Sequence, residues 1–269
     1  MKRKRADVLL YEKGLVNSRE KAKRIIMEGI VYVGNRRIDK PGEKVDVDSD
    51  IFIKDNPITY VSRGGLKLEK AIKVFDLDLK DKIAIDIGAS TGGFTDCMLQ
   101  NGIKKVYAID VGYGQLDWKI RNDPRVVVME RTNIRNVTEE NISEIVDFIS
   151  IDVSFISLKL VLPVAKKLID RKNGSIMALI KPQFEAGREK VGKKGLVKDK
   201  MVHFEVIQGI SEFCKDLGMK LTGLDFSPIT GSTGNIEYLS LITFRDNDKI
   251  IDENAIMEVI DRAHDSLYS

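Results

Sequence analysis

Two cysteines, two histidines and no long apolar run set the first limits on this sequence. Cys97 and Cys214 have neither metal-ligand spacing nor the pattern of a disulfide framework, so both are read as reduced, half-buried packing residues. The best apolar runs, such as 149–151 and 158–164, are interrupted well short of the ~20 residues a membrane span needs. The start Met-Lys-Arg-Lys-Arg is basic, but the apolar stretch after it covers only residues 8–11. That is too brief and too charge-flanked for a signal peptide. A soluble, cytoplasmic protein is expected, with neither a membrane nor a metal ion as partner.

What is present is a full core and an uneven charge. With 43% hydrophobic and 32% charged residues over 269 positions, one large α/β domain and a small appendage are expected. Residues 1–37 hold 11 Lys or Arg against 4 Asp or Glu. Acids then gather between Asp39 and Asp55, and the rest is close to neutral. A basic N-terminal face points to a polyanionic partner. Asn17, with Glu20 three residues later, reads as a helix start, and the helix is predicted over 18–28. Ala22, Ile25 and Ile26 fall on one side of it. A hairpin follows, 30–33 and 36–38 about a Gly34-Asn35 turn, then a short strand at 50–53.

Arg5-Ala-Asp7, Gly14-Leu, Asn17-Ser-Arg19, Ala22, Ile26, Gly29, Val31-Tyr-Val33, Lys40-Pro41-Gly42 and Val45 resemble an alpha-L RNA-binding domain, the fold of the fourth small-subunit ribosomal protein. The resemblance implies a small α+β domain over 1–54. It makes Arg3, Arg5, Arg19, Lys23 and Arg36 candidate RNA contacts, with Arg63 beyond the connector added to the set. Pro57 biases Asn56 towards an extended backbone, so 55–61 is read as a short, stiff linker. The large domain then covers 62–269.

From Lys82 strand-like runs alternate with amphipathic ones. Strands are predicted at 83–87, 106–109, 126–129, 146–151, 176–180, 220–226 and 237–244. Helices are predicted among them at 94–99, 158–169 and 202–217, with a last one at 253–267. The pattern defines an α/β protein with a doubly wound, mainly parallel sheet. Ligands of such sheets bind beyond the carboxyl ends of the strands, where strand order switches.

The first of these strands runs into Asp86-Ile-Gly88-Ala89-Ser90-Thr-Gly92-Gly-Phe94, and the second ends in Asp110. A glycine turn lets the backbone approach a ligand, and an acid after the second strand suits ribose hydroxyls. The spacing is not that of a dinucleotide fingerprint, and the combination fits S-adenosylmethionine better than a nicotinamide dinucleotide. Gly88-Ala-Ser90-Thr-Gly92 also matches a nucleophile elbow. That reading needs a late histidine on a loop, and His203 and His264 both fall in helical stretches. An elbow also follows several strands of its sheet, not the first.

Lys67, Asp152, Lys181 and Glu237 carry the chemistry. Asp152 follows the fourth strand and Lys181 the fifth. Glu237 opens the seventh, and reaches the same edge if that strand is antiparallel. Lys67 lies on a helix before the first strand. A ribose 2′-hydroxyl is a poor acid and needs a base. Lysine serves only if burial or a neighbouring cation lowers its pKa, and two adjacent lysines are expected to depress one another. Lys181 is assigned as base, Lys67 and Glu237 position the ribose, and Asp152 lines both the methyl-donor pocket and the reacting centre.

With this tetrad the large domain resembles the FtsJ-type ribose 2′-O-methyltransferases, and nearly the whole chain resembles the TlyA family. Asp110-Val-Gly-Tyr113-Gly-Gln-Leu116, Arg121-Asn-Asp-Pro-Arg125, Glu130-Arg131-Thr-Asn133 and Asp152-Val-Ser-Phe-Ile-Ser157 carry that likeness. It implies a seven-stranded methyltransferase sheet with its last strand antiparallel, S-adenosylmethionine as donor, and cytidine 2′-O-methylation in RNA of one or both ribosomal subunits. Asn133 would approach the adenosine end of the cofactor, with Tyr113 and Arg131 as lesser candidates. Asp86, Gly88, Ala89, Ser90, Gly92, Phe94, Asp110 and Asp152 complete the cofactor set. The basic, glycine-rich stretch 184–199 is expected to be a mobile RNA-gripping loop. The alternatives are a non-catalytic RNA-binding assembly factor and the hemolysin that the family label suggests.

Overall fold

The computed structural model describes residues 3–27, 29–34, 36–53, 59–231 and 233–268. The chain divides into two compact units, Met1–Ser62 and Arg63–Ser269. Most of the expected connector 55–61 lies outside the described residues. So do Met1, Lys2, Glu28 at the expected helix end and Asn35 of the expected turn.

In the first unit, strand β1 (Arg3–Arg5) leads into helix α1 (Ala6–Glu12), and α2 (Arg19–Met27) follows. The cap of α2 is Ser18, whose Oγ accepts the Lys21 amide at 3.1 Å, rather than the expected Asn17. Strands β2 (Val31–Val33), β3 (Arg36–Arg37) and β5 (Ile51–Ile53) form a three-stranded antiparallel sheet. Strand β4 (Lys44–Asp46) pairs instead with β1, a pairing that no periodicity in two such short, charged runs announces. Ala6, Leu9, Leu10, Ala22, Ile25, Ile26, Val31, Ile38, Val45 and Ile51 close over one core. The charged face of α2 stays outside, as the i, i+3, i+4 pattern dictates, whereas Asp7 of α1 is buried.

The second unit opens with α3 (Gly64–Val74) and then builds a seven-stranded sheet. Its strands are β6 (Ile83–Ile87), β7 (Lys105–Ile109), β8 (Val126–Met129), β9 (Phe148–Ile151), β10 (Ser175–Ile180), β11 (Lys220–Phe226) and β12 (Tyr238–Thr243). Their order across the sheet is β11-β12-β10-β9-β6-β7-β8, and β12 alone runs against the rest. Helices α4 (Gly93–Gln100), α5 (Trp118–Arg121), α6 (Leu158–Leu168), α7 (Pro182–Glu185), α8 (Lys200–Asp216) and α9 (Glu253–Leu267) complete the unit. The central strands are buried on both faces, which is why Ile83-Ala-Ile-Asp-Ile87 and Phe148-Ile-Ser-Ile151 read as continuous rather than alternating runs.

Chain order reverses between β6 and β9, which lie side by side in the middle of the sheet. That is where a doubly wound sheet opens a crevice at its carboxyl edge. The predicted fourth strand begins later than expected, at Phe148, because Val146 makes only an isolated bridge to Ile169. Both cysteines are fully buried rather than half-buried. Burial among apolar neighbours pushes the Cys214 thiol up to about 12, which makes it an inert packing residue.

Candidate active site

Strand register brings the polar residues together. Ile87 pairs with Ile109 on one side and with Ile151 on the other, so the residues after β6, β7 and β9 emerge at one level. Ile180 pairs with Tyr238 across the reversed strand. Lys181, just after β10, and Glu237, just before β12, therefore stand side by side. Lys67 arrives on α3, whose placement is fixed by its neighbour one turn on. Lys70 donates to the Phe226 carbonyl at 2.6 Å, lies over the Phe226 ring at 3.7 Å and pairs with Asp225 at 3.2 Å.

The four side chains form a line of alternating charge. Lys67 Nζ donates to Glu237 Oε2 at 2.6 Å and reaches Asp152 Oδ2 at 3.6 Å. Lys181 Nζ contacts the other Asp152 oxygen at 2.5 Å and donates to Ser154 Oγ at 3.2 Å. Lys67, Lys181 and Glu237 are buried, while Asp152 keeps part of its carboxylate open. Such burial is tolerable because each charge has an opposite partner within contact.

Electrostatics keep Lys67 charged. Burial disfavours the Lys67 ammonium, but the charges of Asp152 and Glu237 and their hydrogen bonds outweigh it, so its pKa lies above the ordinary lysine value. The expected mutual depression does not hold at Lys67, because a carboxylate stands between the two cations. Asp152 is pushed up by burial, and the two lysine charges more than reverse this, so its carboxyl stays below the usual range.

Beside this line lies the glycine turn. Gly88 has φ +85°, and a Cβ there would sit 2.4 Å from the Asp152 carbonyl oxygen. Only glycine lets the first loop pack directly on the backbone that carries Asp152. Gly92 has φ +94° and caps α4 in the left-handed conformation. The Ser90 amide donates to Asp110 Oδ2 at 2.7 Å and the Gly112 amide to Oδ1 at 2.6 Å. Asp110 thereby ties the loop after β6 to the loop after β7. Ala89 and Phe94 are buried under the turn. Asn133 caps a 3₁₀ turn, its Oδ1 accepting the Arg135 amide at 3.1 Å, and the Arg131 guanidinium stacks 4.0 Å over the exposed Tyr113 ring.

Asp86 departs from its expected place on the ligand-facing surface. It is fully buried, and Thr95 Oγ1 and Ser150 Oγ donate to its two oxygens at 2.6 and 2.9 Å. It braces the turn from behind. Desolvation raises its pKa to about 6, against the two hydroxyls, which lower it.

Among the described residues Ser90 has no histidine partner. His203 bonds the Tyr238 hydroxyl at 2.7 Å and the Val197 carbonyl at 3.0 Å, and His264 bonds His203. The stretch expected as a mobile loop carries 3₁₀ turns at Arg188–Lys190 and Lys193–Gly195, and its end is pinned. The buried Asn235 amide accepts from the Val197 N–H at 2.9 Å and donates to the Gly195 carbonyl at 2.7 Å.

Sequence reasoning missed Ser154, Asn235 and a pair of aromatic rings. Phe155 is 91% exposed at φ +65°, and its ring lies 5.1 Å from that of Phe184. The signal was available: an aromatic three residues after Asp152, and another three after Lys181. Of the RNA-contact candidates, Arg3, Lys23 and Arg36 are exposed, and Arg36 pairs with Glu43. Arg5 and Arg19 both contact Asp7. Arg63 is the half-buried N-cap of α3.

Sheet order, glycine turn and tetrad together define a methyltransferase class. The chain belongs to the FtsJ-like methyltransferase family, which matches residues 60–244, and an S4 domain matches residues 4–51. It is 55% identical to YqxC of Bacillus subtilis, provisionally named an rRNA methyltransferase, over 99% of this chain and 96% of that one. It is 38% identical to the 16S/23S rRNA (cytidine-2′-O)-methyltransferase TlyA of Mycobacterium tuberculosis, over 97% of both chains. A solved Streptococcus thermophilus structure provisionally titled a hemolysin is 48% identical, with a TM-score of 0.79, over 100% of this chain and 98% of that one. No helix among the described residues is long and apolar enough to cross a membrane.

Proposed function

We propose that this protein is a cytoplasmic, S-adenosylmethionine-dependent rRNA methyltransferase that modifies the ribose 2′-hydroxyl of cytidine in one or both ribosomal subunits. The observation that carries it is the Glu237–Lys67–Asp152–Lys181 line at the switch point of the sheet. The names of the relatives above support the substrate, and the S4 domain supports RNA as the partner.

The residues beside the tetrad fit a nucleoside sulfonium. Each Asp110 oxygen accepts one amide, which leaves a lone pair on each for a ribose hydroxyl. Val111 exposes apolar surface next to it. The turn 88–94, with Asp86 bracing it, and Asn133 supply the remaining contacts. When bound, S-adenosylmethionine supplies a methyl group on a positively charged sulfur.

Lys181 acts at the 2′-oxygen. Its ammonium must give up a proton before it can take one. Asp152 Oδ1 at 2.5 Å and Ser154 Oγ at 3.2 Å hold its Nζ in place at the end of the line. Lys67, held charged by Glu237 and Asp152, stays a donor and with Glu237 orients the ribose. Removing the proton as the oxygen reacts, and holding that oxygen in line, are what a general base and positioning residues contribute. Phe155 and Phe184 offer ring faces to the target base.

The test is methyl transfer to 16S and 23S rRNA and to isolated subunits, with nucleoside mapping, for wild type and Lys181→Ala. Wild type yields a ribose-methylated cytidine and the variant loses activity by about 10²–10⁴-fold, the usual contribution of a positioned base. A base-methylated product would overturn the reading.

A further inference from the structure

The short helix α7 holds the loop after β9 at both of its ends. Lys181 caps α7 and Glu185 ends it, about one turn apart. Lys181 Nζ contacts Asp152 Oδ1 at 2.5 Å, where the loop begins. Glu185 takes the far end: Ser157 Oγ donates to its Oε2 at 2.6 Å and the Leu158 amide to its Oε1 at 2.7 Å. Between these ties, residues 153–156 make no backbone–backbone hydrogen bond among the described residues. Yet the segment keeps Phe155 in the left-handed region, a conformation that persists only where its surroundings impose it. It also sets the Phe155 ring 5.1 Å from that of Phe184, which lies between the two anchoring residues of α7.

Helix capping does not account for Glu185. Helix α6 already has its own cap, since Ser157 Oγ accepts the Lys159 amide at 3.1 Å. Burial also pushes the Glu185 carboxyl above its ordinary range, by more than the Ser157 and Leu158 hydrogen bonds lower it. A half-buried acid that spans two donors of a neighbouring loop is a tie between segments, not a solvated surface charge.

We infer that Glu185 is a positioning residue for methyl transfer: it fixes the far end of the 152–157 loop on α7, so that Lys181, Asp152 and the two phenylalanine rings keep one geometry. The inference rests on the reading of the Lys181 line as the methyl-transfer site. Glu185 acts through Ser157 and Leu158, not on the reacting atoms. A displacement of about 1 Å at the reacting centre is enough to lower a rate by about 10²-fold.

The experiment measures steady-state methyl transfer by the full-length protein to 16S and 23S rRNA, with a melting temperature for each variant. Glu185→Ala removes both bonds, and kcat is expected to fall roughly 10- to 100-fold while KM for S-adenosylmethionine stays within about twofold. Two further variants separate reach from charge. Glu185→Gln keeps the length: its amide oxygen accepts from Leu158, and its NH₂ donates to the lone pair that Ser157 Oγ has free. Its kcat is expected to return to within about threefold of wild type. Glu185→Asp keeps the negative charge but is one methylene short of spanning both donors, and is expected to lose about as much as Glu185→Ala.

A charge that merely stabilised the start of α6 would rank the two the other way, and in melting temperature rather than in kcat. If Glu185→Ala unfolds, the Gln and Asp variants decide the matter. Wild-type kcat in Glu185→Asp, or in Glu185→Ala assayed well below its melting temperature, overturns the positioning role and leaves the enzymatic reading intact. Absence of methyl transfer by wild type overturns both.

Discussion

Lys67 and Glu237 are 170 residues apart in sequence and meet through a 2.6 Å hydrogen bond, both almost closed to solvent. Removing one member leaves a buried charge with a poorer partner. Glu237→Ala leaves Lys67 only Asp152, at 3.6 Å, and is expected to cost about 3–5 kcal/mol of stability. The double variant Lys67→Met/Glu237→Leu removes both charges and is expected to unfold at a temperature nearer wild type. Neither should methylate. Denaturant melts and a methyl-transfer assay check this, and a double variant less stable than Glu237→Ala would contradict it.

Phe155 combines a left-handed backbone with a ring that is 91% exposed. A β-carbon there costs roughly 1–2 kcal/mol relative to glycine, and the ring buries too little surface to offset it. Phe155→Gly is therefore expected to match or exceed wild-type stability. It should nevertheless lose activity on RNA, because a stacked base is worth about 1–3 kcal/mol. A rise in KM for RNA or a fall in kcat with an undiminished melting temperature is the expected result. Full activity would remove Phe155 from the site.

Asp86 and His203 give stability opposite dependences on pH. Asp86 titrates near about 6 in the fold, above its unfolded value of 3.8. The folded state thus holds a proton that the unfolded chain has released, and stability falls as pH rises from about 4 to 6. His203 is pushed down to about 4 by burial, from 6.5. Its Nε2 must donate to the Val197 carbonyl, so Nδ1 accepts from the Tyr238 hydroxyl and the ring is neutral. The unfolded chain binds that proton first, and stability rises with pH across about 4 to 6.5. Each effect is on the order of 3 kcal/mol. Relative to wild type, Asp86→Asn should gain stability as pH rises through this window and His203→Gln should lose it. Urea unfolding at stepped pH reads the difference, and two parallel curves would refute both assignments.

The glycine turn, the acids closing the first two strands and the residue types of the tetrad were legible because each is local. A turn needs its glycines, and a strand end can be recognised from its own periodicity. Lys67 and Lys70 show the limit. Three apart on one helix, they look alike as sequence, yet one enters the site and the other anchors the helix on Phe226 and Asp225. The stretch 184–199 has the composition of a free loop, but Asn235 and His203, contributed from elsewhere, hold Val197 by its amide and its carbonyl.

By itself the sequence determined the α/β alternation and that Asp152 and Lys181 follow strands, since these follow from hydrophobic period and chain direction, while the reversed last strand came only with the family resemblance. The tertiary structure alone decided who meets whom. The pairing of Ile180 with Tyr238 puts Glu237 beside Lys181, and the docking of α3 inserts Lys67 between Glu237 and Asp152. It also moved Asp86 from the ligand surface to a sealed position behind the turn. Charge pairing depends on distances of a few tenths of an ångström between segments far apart in the chain, and those are set only once the core has packed.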